Sequence, residues 1–401
     1  QRQRIKALIY RKAAAYMITK IINGKIISQN RILENEVLYL KDDKILFIGN
    51  KDISPDKEID AKNNYVSAGF IDIHTHGGSG ADFLDGGEKP IICATQKHLF
   101  CGTTSIMPTT LACSKAVLVQ FLNDLKAVMK THKNIIGAHL EGPYFSKNQS
   151  GAQNPKYIKN PDPKEYNDIL NIGKGIIRRW SFAPELEGSI EFCKMLVKNN
   201  VLPSCGHSDA AFDDVKAVHD FGCKMITHLY SGMSTITRKN GFRRLGVTEC
   251  AYYFDDMCAE IIADGAHLPP ELLKLIIKLK GTDNICLVTD SMRAAGESEG
   301  MSFLGRKGEE TPCIIEDGVA KLLDKSAFAG SVATADRLVR TMVKKADCSV
   351  TEAVKMITQN PARILNLTDR GDIKENLRAD IVIFDDDINI KKVFLCGIEV
   401  K

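Results

Sequence analysis

The sequence predicts an α/β fold, a (β/α)8 TIM-like barrel with a small β-sandwich domain built from both chain termini. Three observations carry this. Eight compact apolar runs recur through the middle of the chain, stretches with helical spacing lie between most of them, and both ends read as short alternating β segments. Alternation of strand and helix implies parallel strands joined by crossover helices, and eight repeats imply closure into a barrel. An open doubly wound sheet is the alternative, but its G-x-G-x-x-G turn after the first strand is missing, because GGSGADFLDGG has its glycines in the wrong register.

The elements follow in order. Residues 1–16 contain five Lys or Arg, no Asp or Glu, and no Ser or Thr, and are expected to lie outside the fold as a leader or upstream-read segment rather than as a transit peptide. Residues 17–66 begin the small β domain: MITKIINGKIIS is followed by EVLYLKDDKILFIG, where Lys41-Asp42-Asp43-Lys44 between apolar runs has the character of a hairpin turn. Residues 67–366 form the barrel, with strand candidates VSAGFIDIHTH, TTSIMPTT, NIIGAHLEGP, IIRRWSFAPEL, VLPSCGHS, KMITHLYSG, CAEIIADGAH and NICLVTDS. Helical spacing is clearest in SKAVLVQFLNDLKAVMK, SIEFCKMLVKNN, DAAFDDVKAVHDFG and PPELLKLIIKLKG. Near 301–329 the pattern changes to glycines and an alternating, acidic IIEDGVAKLLD, which predicts a β insertion or lid after the eighth strand. Residues 367–401 return to β character and complete the small domain.

Composition narrows the function. The chain has 401 residues, 44% hydrophobic and 26% charged, which excludes disorder and fibre. Lys plus Arg at 54 against Asp plus Glu at 50 leaves +4, with no basic stripe for nucleic acid. No stretch approaches the roughly 18 apolar residues a membrane-spanning helix needs, so a soluble chain without a membrane partner is expected. Twelve cysteines spread without a Cys-x-x-Cys pair predict reduced thiols and a cytoplasmic location.

There are nine histidines, and where they fall points to the chemistry. His98, His132 and His219 fall on helical stretches beside polar residues and are read as surface residues without a role. His74, His76, His207, His228 and His267 fall at the C-terminal ends of predicted strands, as do Glu141 and Asp290. In a barrel these seven converge at the C-terminal mouth, where such enzymes keep their active sites. His74 and His76 share one side of a strand and can ligate one ion. Buried ionisable groups at this many strand ends are costly unless paired or metal-bound, which favours a metal site over packing. Nitrogen and carboxylate ligands suit Zn2+, with Fe2+ or Mn2+ compatible, and Cys205 is read as a core thiol. A metal that activates water and polarises a carbonyl describes hydrolysis, with Asp290 taking the proton from water and returning it to the leaving amine.

At AGFIDIHTHG, HLEGPY, FAPE, GHSDA, THLYSGM, ADGAHLPPE, VTDSM and FAGS, in that order and spacing, the chain resembles the amidohydrolase superfamily and, within it, the N-acetylglucosamine-6-phosphate deacetylase family, from Met17 to Lys401. The resemblance implies Glu141, His207 and His228 as principal metal ligands, with His74 and His76 helping to hold a second ion found in some members, hence one or two ions per subunit. Glu141 separates the chain from relatives resembling dihydropyrimidinase, which use a carboxylated lysine. Asp290 corresponds to the family's acid/base, and His267 to a histidine that contacts substrate and assists at the acetyl carbonyl.

The same resemblance implies the substrate contacts. The family's Asn-Ala pair near the sugar phosphate is Ser231-Gly232 here, and its arginine, which reaches the phosphate of a neighbouring subunit in a homodimer, aligns with Lys239. The family's histidine after the Glu-Gly-Pro loop is Gln153, able to bond a sugar hydroxyl. Ala152 and the Phe328-Ala329-Gly330 turn are carried over as wall or backbone contacts. The implied reaction removes the N-acetyl group of N-acetylglucosamine 6-phosphate, giving glucosamine 6-phosphate and acetate in amino-sugar catabolism. Alternatives are the N-acetylgalactosamine 6-phosphate epimer, a cyclic-amide hydrolase or deaminase on the same scaffold, and a non-enzymatic relative that keeps the barrel as an interaction module.

Overall fold

The computed structural model describes residues 17–401, so the expected leader segment lies outside the described residues. The predicted runs become strands β1 (Phe70–Thr75), β2 (Thr103–Pro108), β3 (Ala138–Glu141), β4 (Ile177–Phe182), β5 (Leu202–Cys205), β6 (Met225–Ile226), β7 (Cys258–Ile261) and β8 (Ile285–Leu287). β1 pairs in parallel with β2, and β3 through β8 form one parallel sheet in chain order. Parallel bridges from Ile106 to Ile135 and from Thr109 to His139 join the two groups on one side. On the other side the Asp290 N–H donates to His74 O at 2.9 Å and the His76 N–H to Ser291 O at 2.8 Å. The result is a TIM-like barrel of parallel strands. These strands are almost continuously buried, as a sheet covered on both faces must be.

A helix follows each strand: Glu88–Phe100, Lys115–Met129, Pro163–Ile172, Ser189–Lys198, Phe212–Asp220, Val247–Tyr253, Pro270–Lys280 and Ala335–Lys345. Their starts are specified locally. Ser114 accepts from the Val117 N–H, and Asp162 from those of Lys164 and Glu165, satisfying donors that the first helical turn leaves free. Their apolar faces pack on the strands: Phe192 lies edge-on to Trp180 and Tyr144, with ring centroids 5.0 Å apart in each pair. Burial of such rings stabilises the chain by about 1.5–3 kcal/mol each.

The chain ends build two further sheets. One orders Lys44–Ile48, Leu38–Lys41, Ile18–Ile22 and Lys57–Asp60, with the expected hairpin between its first two strands. The other runs Ile398–Glu399, Ile390–Leu395, Ile381–Phe384, Tyr65–Ala68, Lys25–Ser28 and Arg31–Leu33, interleaving strands from both ends. Ile21, Leu38 and Leu40 of one sheet share an apolar cluster with Ile26, Val66 and Ile381 of the other. The strand Tyr65–Ala68 carries this sheet two residues past the boundary expected at 66/67. Gly69 makes the crossing into β1, and a Cβ there would stand 2.0 Å from Thr104 Oγ1. After β8, strands Gly300–Leu304, Thr311–Glu316, Val319–Leu322 and Phe328–Ser331 form a four-stranded antiparallel sheet at the barrel mouth. Among the described residues no helix is long and apolar enough to cross a membrane.

Candidate metal centre at the barrel mouth

Each strand end delivers its side chain inward through the local backbone. Glu141 closes β3 and His74 lies near the end of β1, both fully within the barrel. His207, His228 and Asp290 follow β5, β6 and β8 with φ of 48°, 26° and 45°. Residues other than glycine rarely occupy this left-handed region, and three such turns at one mouth mark a place where side-chain direction has been set against backbone preference.

The convergence expected from the sequence is present. Glu141 Oε1 lies 3.0 Å from His228 Nε2, 3.3 Å from His207 Nε2 and 3.4 Å from His74 Nε2. His207 and His228 bring their Nε2 atoms to 3.2 Å of each other. Glu141 Oε2 lies 3.4 Å from His76 Nε2, and Asp290 Oδ1 lies 3.0 Å from His76 Nε2 and 3.3 Å from His74 Nε2. Two groups therefore have donor atoms close enough to share an ion: Glu141 with His207 and His228, and Glu141 with His74 and His76. Tetrahedral bonds of about 2.0–2.1 Å separate ligand atoms by about 3.4 Å, the spacing found here.

The hydrogen bonds behind the rings also fit a metal. His207 Nδ1 donates to the Gln149 carbonyl at 2.8 Å, His228 Nδ1 to the Ser231 carbonyl at 3.1 Å, and His74 Nδ1 to Glu260 Oε2 at 3.1 Å. An acceptor at Nδ1 keeps the proton there and turns the Nε2 lone pair into the cluster. Among the described residues His74 Nε2 is buried without a hydrogen-bond partner. Electrostatics points the same way. Burial alone would raise the Glu141 carboxyl, yet the charge of His74 and hydrogen bonds from His207 and His228 hold it well below the usual range. Burial would lower His74, but Glu260, Asp290 and Glu141 hold it well above its ordinary value. Asp290, raised by burial but lowered more by His74 and His76, falls to about 2. Three carboxylates thus demand positive charge at this spot, which is what a divalent cation provides.

The cluster opens into a cavity of about 220 Å³ lined by His76, Glu141, Ala152, Gln153, His207, His228, Ser231, Gly232, His267, Asp290, Phe328 and Gly330, with Leu111 and Leu304 adding apolar wall. His74 stands behind this lining, and Ala329 is buried between two lining neighbours. His267 Nδ1 donates to Asp264 Oδ2 at 2.8 Å while its ring rests on Phe328, centroids 4.6 Å apart. Gly232 has φ +54°, and a Cβ there would meet His207 Nδ1 at 2.9 Å and the Gln149 carbonyl oxygen at 3.1 Å.

Gln153 and Lys239, two of the expected substrate residues, stand in different relation to the cavity. Gln153 accepts from the Ala112 N–H at 2.7 Å and donates to Glu141 Oε2 at 2.6 Å, so both its polar ends are engaged within the chain. Lys239 lies on an exposed hairpin, Thr237–Lys239 paired with Phe242–Arg244, and does not line the cavity, whose lining among the described residues contains no Lys or Arg.

Other differences lie among the histidines. His98, expected at the surface, is fully buried: its Nε2 lies 2.9 Å from the Gly77 carbonyl and supports the turn after His76. The polar residues beside it in sequence point elsewhere on its helix. His132 is half-buried, and so is His219, which pairs with Asp256 at 2.8 Å. His139, Arg179, Glu260 and Asp264 were not singled out from sequence, although all four are buried around the cluster. The legible trace is a charged or polar residue inside an apolar run, as in CAEIIADG and IIRRWSF.

A family model for the amidohydrolase family matches residues 65–400. The chain belongs to the amidohydrolase family. Among amidohydrolases it is 30% identical over 344 residues to the N-acetylglucosamine-6-phosphate deacetylase of Lysinibacillus sphaericus, covering 85% of this chain and 86% of that one. It is equally 30% identical, over 337 residues and 82% of each chain, to the N-acetylgalactosamine-6-phosphate deacetylase of Shewanella sp. strain ANA-3. The crystal structure of N-acetylglucosamine-6-phosphate deacetylase from Thermotoga maritima superposes with a TM-score of 0.85 at 30% identity, covering 95% of this chain and 99% of that one.

Proposed function

We propose that this amidohydrolase removes the N-acetyl group from N-acetylglucosamine 6-phosphate, yielding acetate and glucosamine 6-phosphate. The observation that carries the reading is the meeting of Glu141, His207, His228 and Asp290 at one cavity in a chain whose full-length relatives are amino-sugar phosphate deacetylases. We infer zinc as the ion, with iron or manganese compatible, because nitrogen and carboxylate donors are present without a thiolate. Glu141, His207 and His228 would hold the first ion, and His74 and His76 with Glu141 a second. When bound, the ion supplies Lewis acidity towards the amide carbonyl and towards water.

The chain's own residues supply the rest. Asp290, facing His76 at 3.0 Å, takes the proton from the attacking water and returns it to the leaving amine. Asp264 holds the His267 ring against the cavity, where it meets the acetyl carbonyl. Leu111, Leu304 and Phe328 keep that wall apolar, which strengthens every electrostatic contact inside it. Ser231, Gly232, Ala152, Gln153, Phe328, Ala329 and Gly330 shape the sugar side. The phosphate is read as reaching Lys239 of a second copy, since among the described residues the cavity lining holds no lysine or arginine and the hairpin stands exposed. That reading requires a homodimer. The two terminal sheets, sharing one apolar cluster, are read as a single β-sandwich domain, and the segment 301–329 as a lid. All twelve cysteines are unpaired, which supports a reducing, cytoplasmic setting.

A second reading changes only the sugar, to the galactosamine epimer, and rests on Gln153, Ser231 and Gly232 and on the Shewanella relative. Acetate release from both epimers, with zinc, iron and manganese each supplied, tests the two together. Faster turnover of the glucosamine substrate is expected, faster turnover of the other epimer would transfer the assignment, and release from neither would overturn both.

A further inference from the structure

Beneath the ligand cluster the barrel encloses an ion pair that the reaction does not use. Glu260 on β7 and Arg179 on β4 are both fully buried, and a guanidinium nitrogen of Arg179 pairs with Glu260 Oε1. The other terminal nitrogen donates to Ser204 Oγ at 2.9 Å and Thr227 Oγ1 at 3.0 Å. Removing two charges from water costs about as much as their attraction returns, so such a pair is weak evidence for stability alone. Its position suggests a different task. Glu260 Oε2 accepts from His74 Nδ1 at 3.1 Å and from the backbone N–H of His228 at 3.1 Å, one residue from each of the two ligand groups.

We propose that Glu260, seated by Arg179, is the positioning residue that makes His74 a metal ligand and locks it into one frame with His228. This role rests on the metal reading given above and turns on where one proton sits. An imidazole that ligates an ion is neutral and carries a single N–H, and carboxylates compete for it at both edges of this ring. Glu141 Oε1 and Asp290 Oδ1 wait at 3.4 and 3.3 Å from Nε2, while Glu260 waits at Nδ1. Without an acceptor at Nδ1 the proton goes to Nε2, where two carboxylates receive it, and the lone pair an ion requires is gone. With Glu260 in place the proton stays on the far edge. Arg179 keeps the carboxylate from turning away, and its bonds to Ser204 and Thr227 tie that orientation to the strands leading to His207 and His228.

The test uses two double variants that leave no unpaired charge, titrated with zinc alone against a chromophoric chelator, with bound metal counted by mass spectrometry. Arg179→Met/Glu260→Gln retains an amide oxygen for His74 and His228, and should keep the more weakly held zinc within about threefold of the unsubstituted protein. Arg179→Met/Glu260→Leu removes the acceptor, and should weaken that ion by roughly 10- to 100-fold, the range for loss of a ligand's orienting partner. In the zinc-loaded unsubstituted protein, 15N-labelled His74 should carry its proton on Nδ1, a measurement that stands even if a variant fails to fold. Equal weakening in both variants, undiminished affinity in the leucine variant, uptake of only one ion in zinc excess, or a proton on Nε2 in the loaded protein would overturn the role of Glu260 while leaving the reaction intact. Absence of any zinc uptake would overturn the metal reading and this proposal together.

Discussion

The strand-end cluster and the outer wall of the cavity are built by opposite rules. At the cluster each residue is fixed more than once: His207 by its left-handed backbone, by the Gln149 carbonyl at Nδ1 and by Glu141 at Nε2, and His228 by its own turn, the Ser231 carbonyl and Glu260. The wall is different. Phe328 reaches the cavity from a small antiparallel sheet while remaining 38% exposed, and beyond the lining Lys239 and Phe242 stand on a two-stranded hairpin, with Phe242 79% exposed. Redundant anchoring suits chemistry that tolerates only tenths of an ångström, whereas single anchoring leaves room for one scaffold to accept different sugars. Disturbing the cluster should therefore abolish a step, and disturbing the wall should change a preference.

The largest effect is expected from His207→Ala. It removes a proposed ligand grouped with Glu141 and His228, so bound metal measured on the purified protein should fall and turnover should drop by roughly a thousandfold or more, the several kcal/mol that a catalytic ion contributes. Normal metal content with lost activity would place His207 in another role. Asp290→Asn separates metal binding from proton transfer. The amide keeps the shape but cannot carry the proton, so turnover should fall by about 10²–10⁴-fold with metal content unchanged. Near-normal acetate release would remove Asp290 from the reaction.

Gly232→Ala probes the join between the two regions. Its backbone lies at φ +54°, and the added methyl would press on His207 Nδ1 and on the carbonyl that orients it. Zinc affinity should fall about tenfold, and KM should rise with it because the same turn lines the cavity. Unchanged zinc affinity alongside a raised KM would mean that the turn belongs to the wall alone.

How much of this was readable before the structure follows the same division. Strand ends rich in His, Glu and Asp stand out because an ionisable residue closing an apolar run has few explanations other than a shared ion, and all seven such residues lie at one mouth. The strand order is legible for a similar reason, since buried parallel strands read as unbroken apolar runs. Glu260 and Arg179 escaped notice because a charge inside such a run carries no trace of the partner that neutralises it 81 positions away. His98 reads as a surface residue because its neighbours in sequence are polar, while its own side of the helix faces the barrel. Gln153 was legible as a member of the site, but its bonds to Glu141 and to the Ala112 N–H depend on a loop conformation that residue spacing does not encode.

Lys239→Ala should have the smallest effect, and its form matters more than its size. Among the described residues the cavity lining contains no lysine or arginine, so the negative charge of a phosphorylated sugar has to be met by a cation from beyond that lining. An exposed lysine on a hairpin offers a hydrated point charge whose contact with phosphate is worth about 1 kcal/mol. Removing it should raise KM for the phosphorylated substrate roughly fivefold and leave kcat and zinc content unchanged, with the effect shrinking as salt screens the charge. The unphosphorylated N-acetyl sugar is the control, because it carries nothing for the lysine to meet. If its KM rises by the same factor, the hairpin shapes the cavity and does not read the phosphate, and the cation must be sought elsewhere on the surface.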